Sequence, residues 1–134
     1  MKYFDYFPKK YEDLLNKVFD KPPKNVVSIA KTKKKQYPSM IYSNDEENAF
    51  LMLHFFPGVL RFINWVVVDP ELHGKGIGSK LVNEVFNEDN SWVYLTISRD
   101  TDSFWERNGF YLFKIHSGRK YYMKTKKTEE TGLK

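Results

Sequence analysis

Three glycines stand within five positions of one another, in the segment HGKGIG over residues 73–78. Glycine allows positive φ angles, which turn successive backbone N–H groups toward a single anion. The segment opens an apolar helical pattern, and the start of a helix adds unpaired N–H groups and the positive end of the helix dipole. A phosphate approaches such a bare backbone closely, and Lys75 adds a positive charge. The spacing favours a phosphate-binding turn, with tight packing as the alternative use of the glycines.

The glycine pattern excludes two common nucleotide-binding loops. The motif Gly-x-x-x-x-Gly-Lys-Ser/Thr needs a longer spacing than the one present. The dinucleotide fingerprint Gly-x-Gly-x-x-Gly fails because Leu81 stands where its third glycine is required. If the turn binds a phosphate, its ligand therefore belongs to a class other than these two.

A predicted strand–helix–strand unit positions the glycine segment. Residues 59–68, VLRFINWVVV, are β-branched and aromatic, and their almost wholly apolar end is typical of a strand covered on both faces. Residues 75–87 repeat apolar side chains at helical spacing, and residues 92–97 form the next strand. Strands joined by such a helix are parallel, and the crossover is right-handed.

The rest of the chain predicts a mostly antiparallel arrangement around this unit. The further predicted elements are a helix over 11–19, strands over 25–30, 40–43 and 49–56, a loop over 31–39, a short helix over 100–108, and a hairpin of 110–116 with 120–125. This order indicates an α+β fold of mixed α/β character. We expect a single domain over 1–124 and a flexible basic tail over 125–134.

Composition narrows the class of protein further. The absence of cysteine among the 134 residues excludes disulfides, thiolate metal sites and a cysteine nucleophile, and no metal is expected. No apolar run is long enough to cross a membrane, so we expect a cytoplasmic protein without a membrane partner. Much of the formal net charge of +5 comes from lysines in 31–35 and 123–127. Nucleic acid is a less favoured partner, because the aromatic residues are not interleaved with these lysines as a stacking platform requires.

Two motifs resemble those of a known family. The segment INWVVVDPELHGKGIGSKLVNEVF, residues 63–86, resembles the acyl-CoA signature of the GNAT superfamily of N-acetyltransferases, Arg/Gln-x-x-Gly-x-Gly/Ala. Downstream, SFWERNGF over 103–110 resembles the family motif Phe-Tyr-x-x-x-Gly-Phe, and the terminal YYMKT resembles the usual last strand. The resemblance extends over residues 59–125, and the earlier residues match only in outline.

The resemblance implies a fold and a cofactor site. It implies a central mixed, mostly antiparallel sheet with flanking helices, in which strand 59–68 bulges and splays away from its parallel neighbour. The pantetheine arm of acetyl-CoA then lies in the gap, an N–H near residues 66–68 stabilises the oxyanion, and the diphosphate lies on residues 74–79. The implied cofactor-binding residues are Val66, Val67, Val68, His73, Gly74, Lys75, Gly76, Ile77, Gly78, Ser79 and Trp105.

The implied activity is transfer of an acetyl group from acetyl-CoA to a primary amine by direct attack in a ternary complex. The acceptor is unknown, either a small molecule or a protein, and a homodimer is possible because the family is often dimeric. The alternative is a CoA-binding or regulatory module that has lost catalysis. Lysine-mediated association with nucleic acid is the third hypothesis.

The catalytic residues depart from the family pattern. Trp105 occupies the position of the tyrosine that often donates a proton, and an indole N–H is a poor acid. His73 replaces the first Arg or Gln of the acyl-CoA signature, and Ser98 or Arg99 holds the place of an asparagine that commonly contacts the pantetheine. His54, in the strand 49–56, is the candidate general base, with a structural role in the apolar strand as the alternative. The sequence therefore offers His54 and Trp105 as candidates without settling either role.

Overall fold

The computed structural model describes residues 1–6, 8–18, 39–56, 60–89 and 91–126. Its elements, in chain order, are β1 (Lys2–Phe4), α1 (Lys9–Val18), β2 (Ser39–Ser43), β3 (Ala49–Phe55), β4 (Leu60–Val68), a 3-10 turn (Pro70–Leu72), α2 (Ile77–Glu88), β5 (Val93–Ser98), α3 (Asp102–Arg107), β6 (Tyr111–His116) and β7 (Arg119–Thr125). Within this part of the chain, no helix combines the length and the apolar character needed to cross a membrane.

The strands form one seven-stranded sheet in the order β1-β2-β3-β4-β5-β7-β6. The neighbouring strands β4 and β5 run parallel, and every other neighbouring pair in the described sheet is antiparallel. Helix α2 connects the parallel pair, as expected for a crossover. The predicted mixed, mostly antiparallel sheet is confirmed.

Most element boundaries lie close to those predicted, and two elements are additional. Strand β1 is only three residues long, too short to leave an alternating pattern, and the 3-10 turn follows directly from β4. Ser39, which the sequence placed in a loop, is the first residue of β2. Thr125, the first residue of the predicted tail, is the last residue of β7. The predicted strand over 25–30, residues 31–38 of the predicted loop, and residues 127–134 of the tail lie outside the described residues.

The sheet carries a hydrophobic cluster on each face. On one side α2 packs its buried Leu81, Val82 and Val85 against the sheet. The cluster on this side also contains Leu51, Leu53, Ile63, Tyr94, Trp105 and Tyr122. On the other side, Tyr11 and Leu14 of α1 pack with Ile41, Phe50, Met52 and Val67. The central strands β3 and β4 are therefore covered on both faces, as their apolar sequences predict.

A β-bulge interrupts β4 at Asn64. In the register with β3, Met52 pairs with Trp65 and Leu53 pairs with Ile63, which leaves Asn64 as an extra residue. Such a residue bends the strand and reverses the alternation of side chains beyond it. Accordingly, Ile63 packs in the cluster of α2, whereas Trp65 packs in the cluster of α1.

A polar network closes the C-terminal end of α2. The Asp89 carboxylate accepts hydrogen bonds from Arg61 Nε at 3.1 Å, from the Tyr94 hydroxyl at 2.5 Å and from the Ser91 N–H at 3.2 Å. Its backbone carbonyl accepts from Lys126 Nζ. The Asp89 side chain is only 10% exposed, so this network holds a charged pair largely out of water. It ties the end of α2 to the start of both parallel strands.

Buried tyrosines make the fold sensitive to alkali. Burial, together with the charge of Asp89, raises the pKa of Tyr42 to about 12. Between about pH 10 and pH 12, Tyr42 therefore keeps its proton in the folded protein, whereas a tyrosine in the unfolded chain, with a pKa of about 10, has lost its proton. We expect the free energy of unfolding to fall as the pH rises from about 10 to about 12.

The test is urea unfolding of wild type and Tyr42→Phe across this range. The difference in stability between the two proteins should stay constant below about pH 10 and then shift in favour of the variant. A constant difference up to pH 12 would contradict the prediction. Tyr94, whose pKa is raised by burial and by its hydrogen bond with Asp89, remains in both proteins and contributes a common decline.

Candidate functional site

A cleft opens where β4 and β5 separate. Their parallel pairing runs from Leu60 with Val93 to Ile63 with Thr96, and β4 then continues to Val68 without a partner in β5. At the point of divergence, the buried Thr96 donates from Oγ1 to the Ile63 carbonyl oxygen at 2.9 Å. The gap widens into a cleft of about 630 Å³ that extends to the glycine segment. The splayed parallel pair is thus present as predicted.

The glycines serve two purposes. Gly74 and Gly76 have φ angles of +83° and +76°, and a Cβ added at either would meet no atom within 4 Å. Gly76 is the N-cap of α2, and no side chain hydrogen-bonds there. Gly78 is different, because an added Cβ would lie 3.4 Å from both Phe104 and Val68. The first two glycines leave an open backbone that suits an anion, and the third allows close packing of α2 on the sheet.

The turn before the glycines is braced on both sides. His73 Nε2 lies 3.1 Å from the carbonyl oxygen of Val68, which can only accept, so this nitrogen carries the hydrogen. Asp69 accepts from the Glu71 N–H at 3.0 Å, and Lys17 of α1 lies 2.9 Å from the Asp69 carboxylate. The hydrogen bond from Lys17 lowers the pKa of Asp69. These contacts fix the end of β4 relative to the start of α2.

A side-chain network connects the start of α2 to α3. Asn108 Nδ2 donates to Ser79 Oγ at 3.0 Å and to the Phe104 carbonyl at 2.8 Å. Asn83 Nδ2 donates to Asn108 Oδ1 at 3.2 Å and to the Ser79 carbonyl at 2.9 Å. The first turn of α2, where Ser79 lies, is therefore held against the wall formed by α3.

Trp105 is part of the core as well as of the cleft wall. It is 5% exposed, and its ring makes edge contacts with Phe104 and Phe110, each with centroids 5.0 Å apart. Its indole Nε1–H donates to Thr101 Oγ1 at 3.1 Å. The hydrogen of Trp105 is thus engaged with a protein acceptor, and the residue offers the cleft mainly an apolar surface.

His54 lies away from the cleft. It pairs with Phe62 across β3 and β4, before the point of divergence, and its ring stacks on Phe62 with centroids 6.3 Å apart. It is absent from the described residues that line the cleft, as is the exposed Lys75. The other residues predicted to bind the cofactor all line it: Val66, Val67, Val68, His73, Gly74, Gly76, Ile77, Gly78, Ser79 and Trp105.

Several lining residues escaped the sequence analysis. These are Asn64, Trp65, Leu72, Ile97, Thr101, Phe104 and Arg107. Arg99, which the resemblance had placed at the position of the pantetheine-contacting asparagine, lines the cleft as well. Most of these residues lie near the ends of β4 and β5 or along α3. The predicted divergence of the two parallel strands could have identified these segments as cleft walls, because it exposes them. Among the described lining residues there are two arginines and no carboxylate. The cleft therefore favours an anionic ligand.

The described lysines near the C-terminus are engaged within the fold. Lys124 Nζ donates to the Asn108 carbonyl at 2.8 Å and lies 4.1 Å from the centre of the Phe86 ring. Burial lowers the pKa of Lys124. Lys126 Nζ lies 5.3 Å from the centre of the same ring. These two lysines are partly buried against apolar surface, which weakens the case for a nucleic-acid surface here, and residues 31–35 lie outside the described part.

Solved structures share this architecture. The acetyltransferase of Bacillus subtilis in complex with CoA is 14% identical, with a TM-score of 0.70 over 94% of this chain and 97% of that chain. The acetyltransferase of Thermus thermophilus is 13% identical, with a TM-score of 0.69 over 94% and 98%. The PaiA N-acetyltransferase of Thermoplasma acidophilum in complex with coenzyme A is 14% identical, with a TM-score of 0.58 over 90% and 80%. At these identities, the likeness establishes the fold alone.

Sequence comparison establishes the family. No curated protein matches the chain significantly. The profile of the acetyltransferase (GNAT) domain matches residues 36–112, which is more than half of the chain and includes β4, the glycine segment and α3. The protein belongs to the GNAT acetyltransferase family.

Proposed function

We propose that the protein transfers an acetyl group from acetyl-CoA to a primary amine, by direct attack of the amine in a ternary complex. The observation that carries this proposal is the cleft between the diverging strands, which leads into an open glycine turn at the start of α2. Family membership supports acetyl transfer, and two structural neighbours were solved with coenzyme A bound.

The residues present suit this cofactor. The backbone N–H groups over 74–79 are available to the diphosphate in this proposal, since Gly74 and Gly76 leave the backbone uncovered and the α2 dipole favours negative charge. The edge of β4 over 66–68 faces the cleft without a β5 partner and offers backbone groups to the amides of the pantetheine arm. Phe104 and Trp105 supply an apolar wall for its methylene groups.

When bound, acetyl-CoA supplies the acyl group as a reactive thioester. The chain contributes alignment of the amine with this group, which by itself removes much of the barrier. A backbone N–H on β4 near residues 66–68 stabilises the oxyanion that develops at the carbonyl. Because the described cleft residues include no carboxylate, we propose that the amine loses its proton to water.

Isothermal titration with acetyl-CoA, followed by a thiol-release assay over a panel of amines, tests the proposal. The panel should contain small amines and lysine-containing peptides, because the acceptor can be of either kind. We expect saturable binding and acceptor-dependent release of CoA. Absence of binding at millimolar acetyl-CoA would end the proposal.

A CoA-binding module without catalysis is the second candidate. It is favoured by the engagement of the Trp105 indole with Thr101 and by the lack of carboxylates along the described cleft. This candidate predicts the same binding isotherm but no CoA release with any amine. Turnover of one acceptor at a rate above the spontaneous reaction would exclude it.

Trp105 is expected to act through packing and not through proton donation. Because its N–H is bound to Thr101, Trp105→Phe should keep kcat within about threefold of wild type, a difference of less than 1 kcal/mol in the barrier. The lost hydrogen bond and the smaller ring should lower the free energy of unfolding by about 1 to 2 kcal/mol. Steady-state kinetics and urea unfolding measure the two effects. A fall in kcat of about 100-fold, as for loss of a general acid, would show that the indole takes part in proton transfer.

A further inference from the structure

Arg99 lies at the closed end of the cleft, beside the last paired residues of β4 and β5. Its Nη1 donates to the carbonyl oxygen of Asn64 at 3.1 Å and to that of Ile97 at 3.4 Å. Its guanidinium carbon lies 4.4 Å from the centre of the Trp65 ring. Asn64 is the first residue of β4 beyond the parallel pairing, so the Arg99 side chain replaces β5 as the partner of that carbonyl.

The charge of Arg99 is not balanced by a carboxylate in the described part of the chain. All its contacts there are neutral, namely two carbonyl oxygens and an aromatic face. Partial desolvation and the nearby charge of Arg119 lower the pKa of Arg99, although the residue is exposed overall, and a guanidinium remains protonated at neutral pH. The closed end of the cleft thus holds a cation that can still receive an anion.

The orientation of the cofactor follows from the proposed function, on which this inference rests. With the diphosphate at Gly74 and Gly76, at the wide end of the gap, the thiol arm extends along β4 toward its closed end. We propose that Arg99 is a catalytic residue that stabilises the thiolate of coenzyme A as it leaves. Stabilisation of the thiolate by Arg99 would take the place of proton donation by a tyrosine, because Trp105 occupies the position of that tyrosine in this chain.

The proposed step is balanced without a protein acid. The N–C bond to the amine forms, the C–S bond breaks, and the electron pair of the C–S bond remains on sulfur. Arg99 pairs with this anion, while the proton of the amine passes to water. A neighbouring cation lowers the pKa of a thiol, so the thiolate is a sufficient leaving group beside Arg99.

The test measures the affinity of the whole chain for CoA and for acetyl-CoA at pH values from about 6 to about 9. The free thiol of CoA titrates near the upper end of that range, whereas the thioester of acetyl-CoA has no thiol proton to lose. In wild type, the affinity for CoA relative to acetyl-CoA should rise about tenfold with pH, which corresponds to a thiol pKa lowered by about one unit. Arg99→Met should remove this rise and change the affinity for acetyl-CoA by less than about threefold, which is under 1 kcal/mol. Arg99→Lys, which keeps the charge, should retain part of the rise.

Arg107→Met is the matched control. Arg107 lines the same cleft from α3, where its Nη1 lies 3.4 Å from Ser103 Oγ. This variant should weaken both ligands equally and leave the pH dependence of their ratio unchanged. Thermal unfolding of each variant establishes that it is folded.

The outcomes separate this inference from the proposed function. Equal losses of CoA and acetyl-CoA in Arg99→Met would show that Arg99 only holds the strands apart, and would overturn the inference. An unchanged pH dependence in Arg99→Met, or its absence in a wild type that binds both ligands, would do the same while leaving the proposed function intact. Failure of wild type to bind either ligand would overturn both.

Discussion

Replacing Gly76 by alanine should weaken acetyl-CoA binding about 100-fold, because charge-assisted hydrogen bonds to phosphate contribute about 1.5 to 3 kcal/mol each. Gly76 has a φ of +76° and forms the N-cap of α2, within the run of N–H groups over 74–79 that is proposed for the diphosphate. Alanine resists this φ, so the backbone shifts, and its Cβ projects from the surface that the phosphate must approach. Isothermal titration with acetyl-CoA measures the effect.

Gly118 provides a matched control. It has the same φ of +76°, and a Cβ there would also meet no atom within 4 Å, but it lies in the turn between β6 and β7, outside the cleft. Gly76→Ala and Gly118→Ala should each lower the free energy of unfolding by about 1 kcal/mol, since both impose the same backbone strain. Acetyl-CoA binding should fall only in Gly76→Ala. Equal affinities in the two variants would place the diphosphate elsewhere.

Replacing Asp89 by alanine should lower the free energy of unfolding by about 3 kcal/mol, because breaking a largely buried ion pair leaves its partner charge without compensation. Arg61 would lose the carboxylate at 3.1 Å while its own side chain is only 17% exposed. The Tyr94 hydroxyl and the Ser91 N–H would lose an acceptor at the same time. Urea unfolding at neutral pH measures the loss.

An exposed aspartate gives the comparison. Asp13 on α1 pairs with Lys9 at 3.4 Å, and the two side chains are 65% and 83% exposed. Asp13→Ala should cost no more than about 0.5 kcal/mol, the usual value for an exposed pair one helical turn apart. If Asp89→Ala lowered the free energy of unfolding as little as Asp13→Ala, the hydrogen-bond network at the end of α2 would contribute little to stability, and the prediction would be wrong.

The sequence was sufficient for the strand–helix–strand unit that forms the site. The β-branched run over 60–68 is typical of a strand, and the apolar spacing over 77–88 has the period of a helix. In both segments this local preference for strand or helix agrees with the packing in the folded protein. The glycine segment was informative because its residues need backbone angles that other residues avoid. The resemblance to the acyl-CoA signature then supplied the proposed ligand, which spacing alone does not identify.

Other features depended on tertiary contacts. The resemblance placed Ser98 or Arg99 at the asparagine position, but the hydrogen bond from Arg99 to the Asn64 carbonyl was not predicted, because it joins segments that are distant along the chain. The engagement of the Trp105 N–H with Thr101 could not be read from residue types, since a tryptophan at that position fits either the core or the cleft. The candidate base His54 shares a strand with the central core, but only the register of β3 and β4 shows that it lies before the divergence.

The bulge at Asn64 is a single extra residue of β4, and it lies where the paired part of β4 and β5 gives way to the cleft between them. Without Asn64, the remaining β4 residues would keep their present sides, since Ile63 and Val66 already alternate correctly around Trp65. The hydrophobic layers thus do not require the extra residue, whose carbonyl oxygen accepts the hydrogen bond from Arg99 at the point where β4 leaves β5. We expect deletion of Asn64 to give a regular strand that can continue its pairing along β5, and a packed protein that lacks the gap proposed for the thioester.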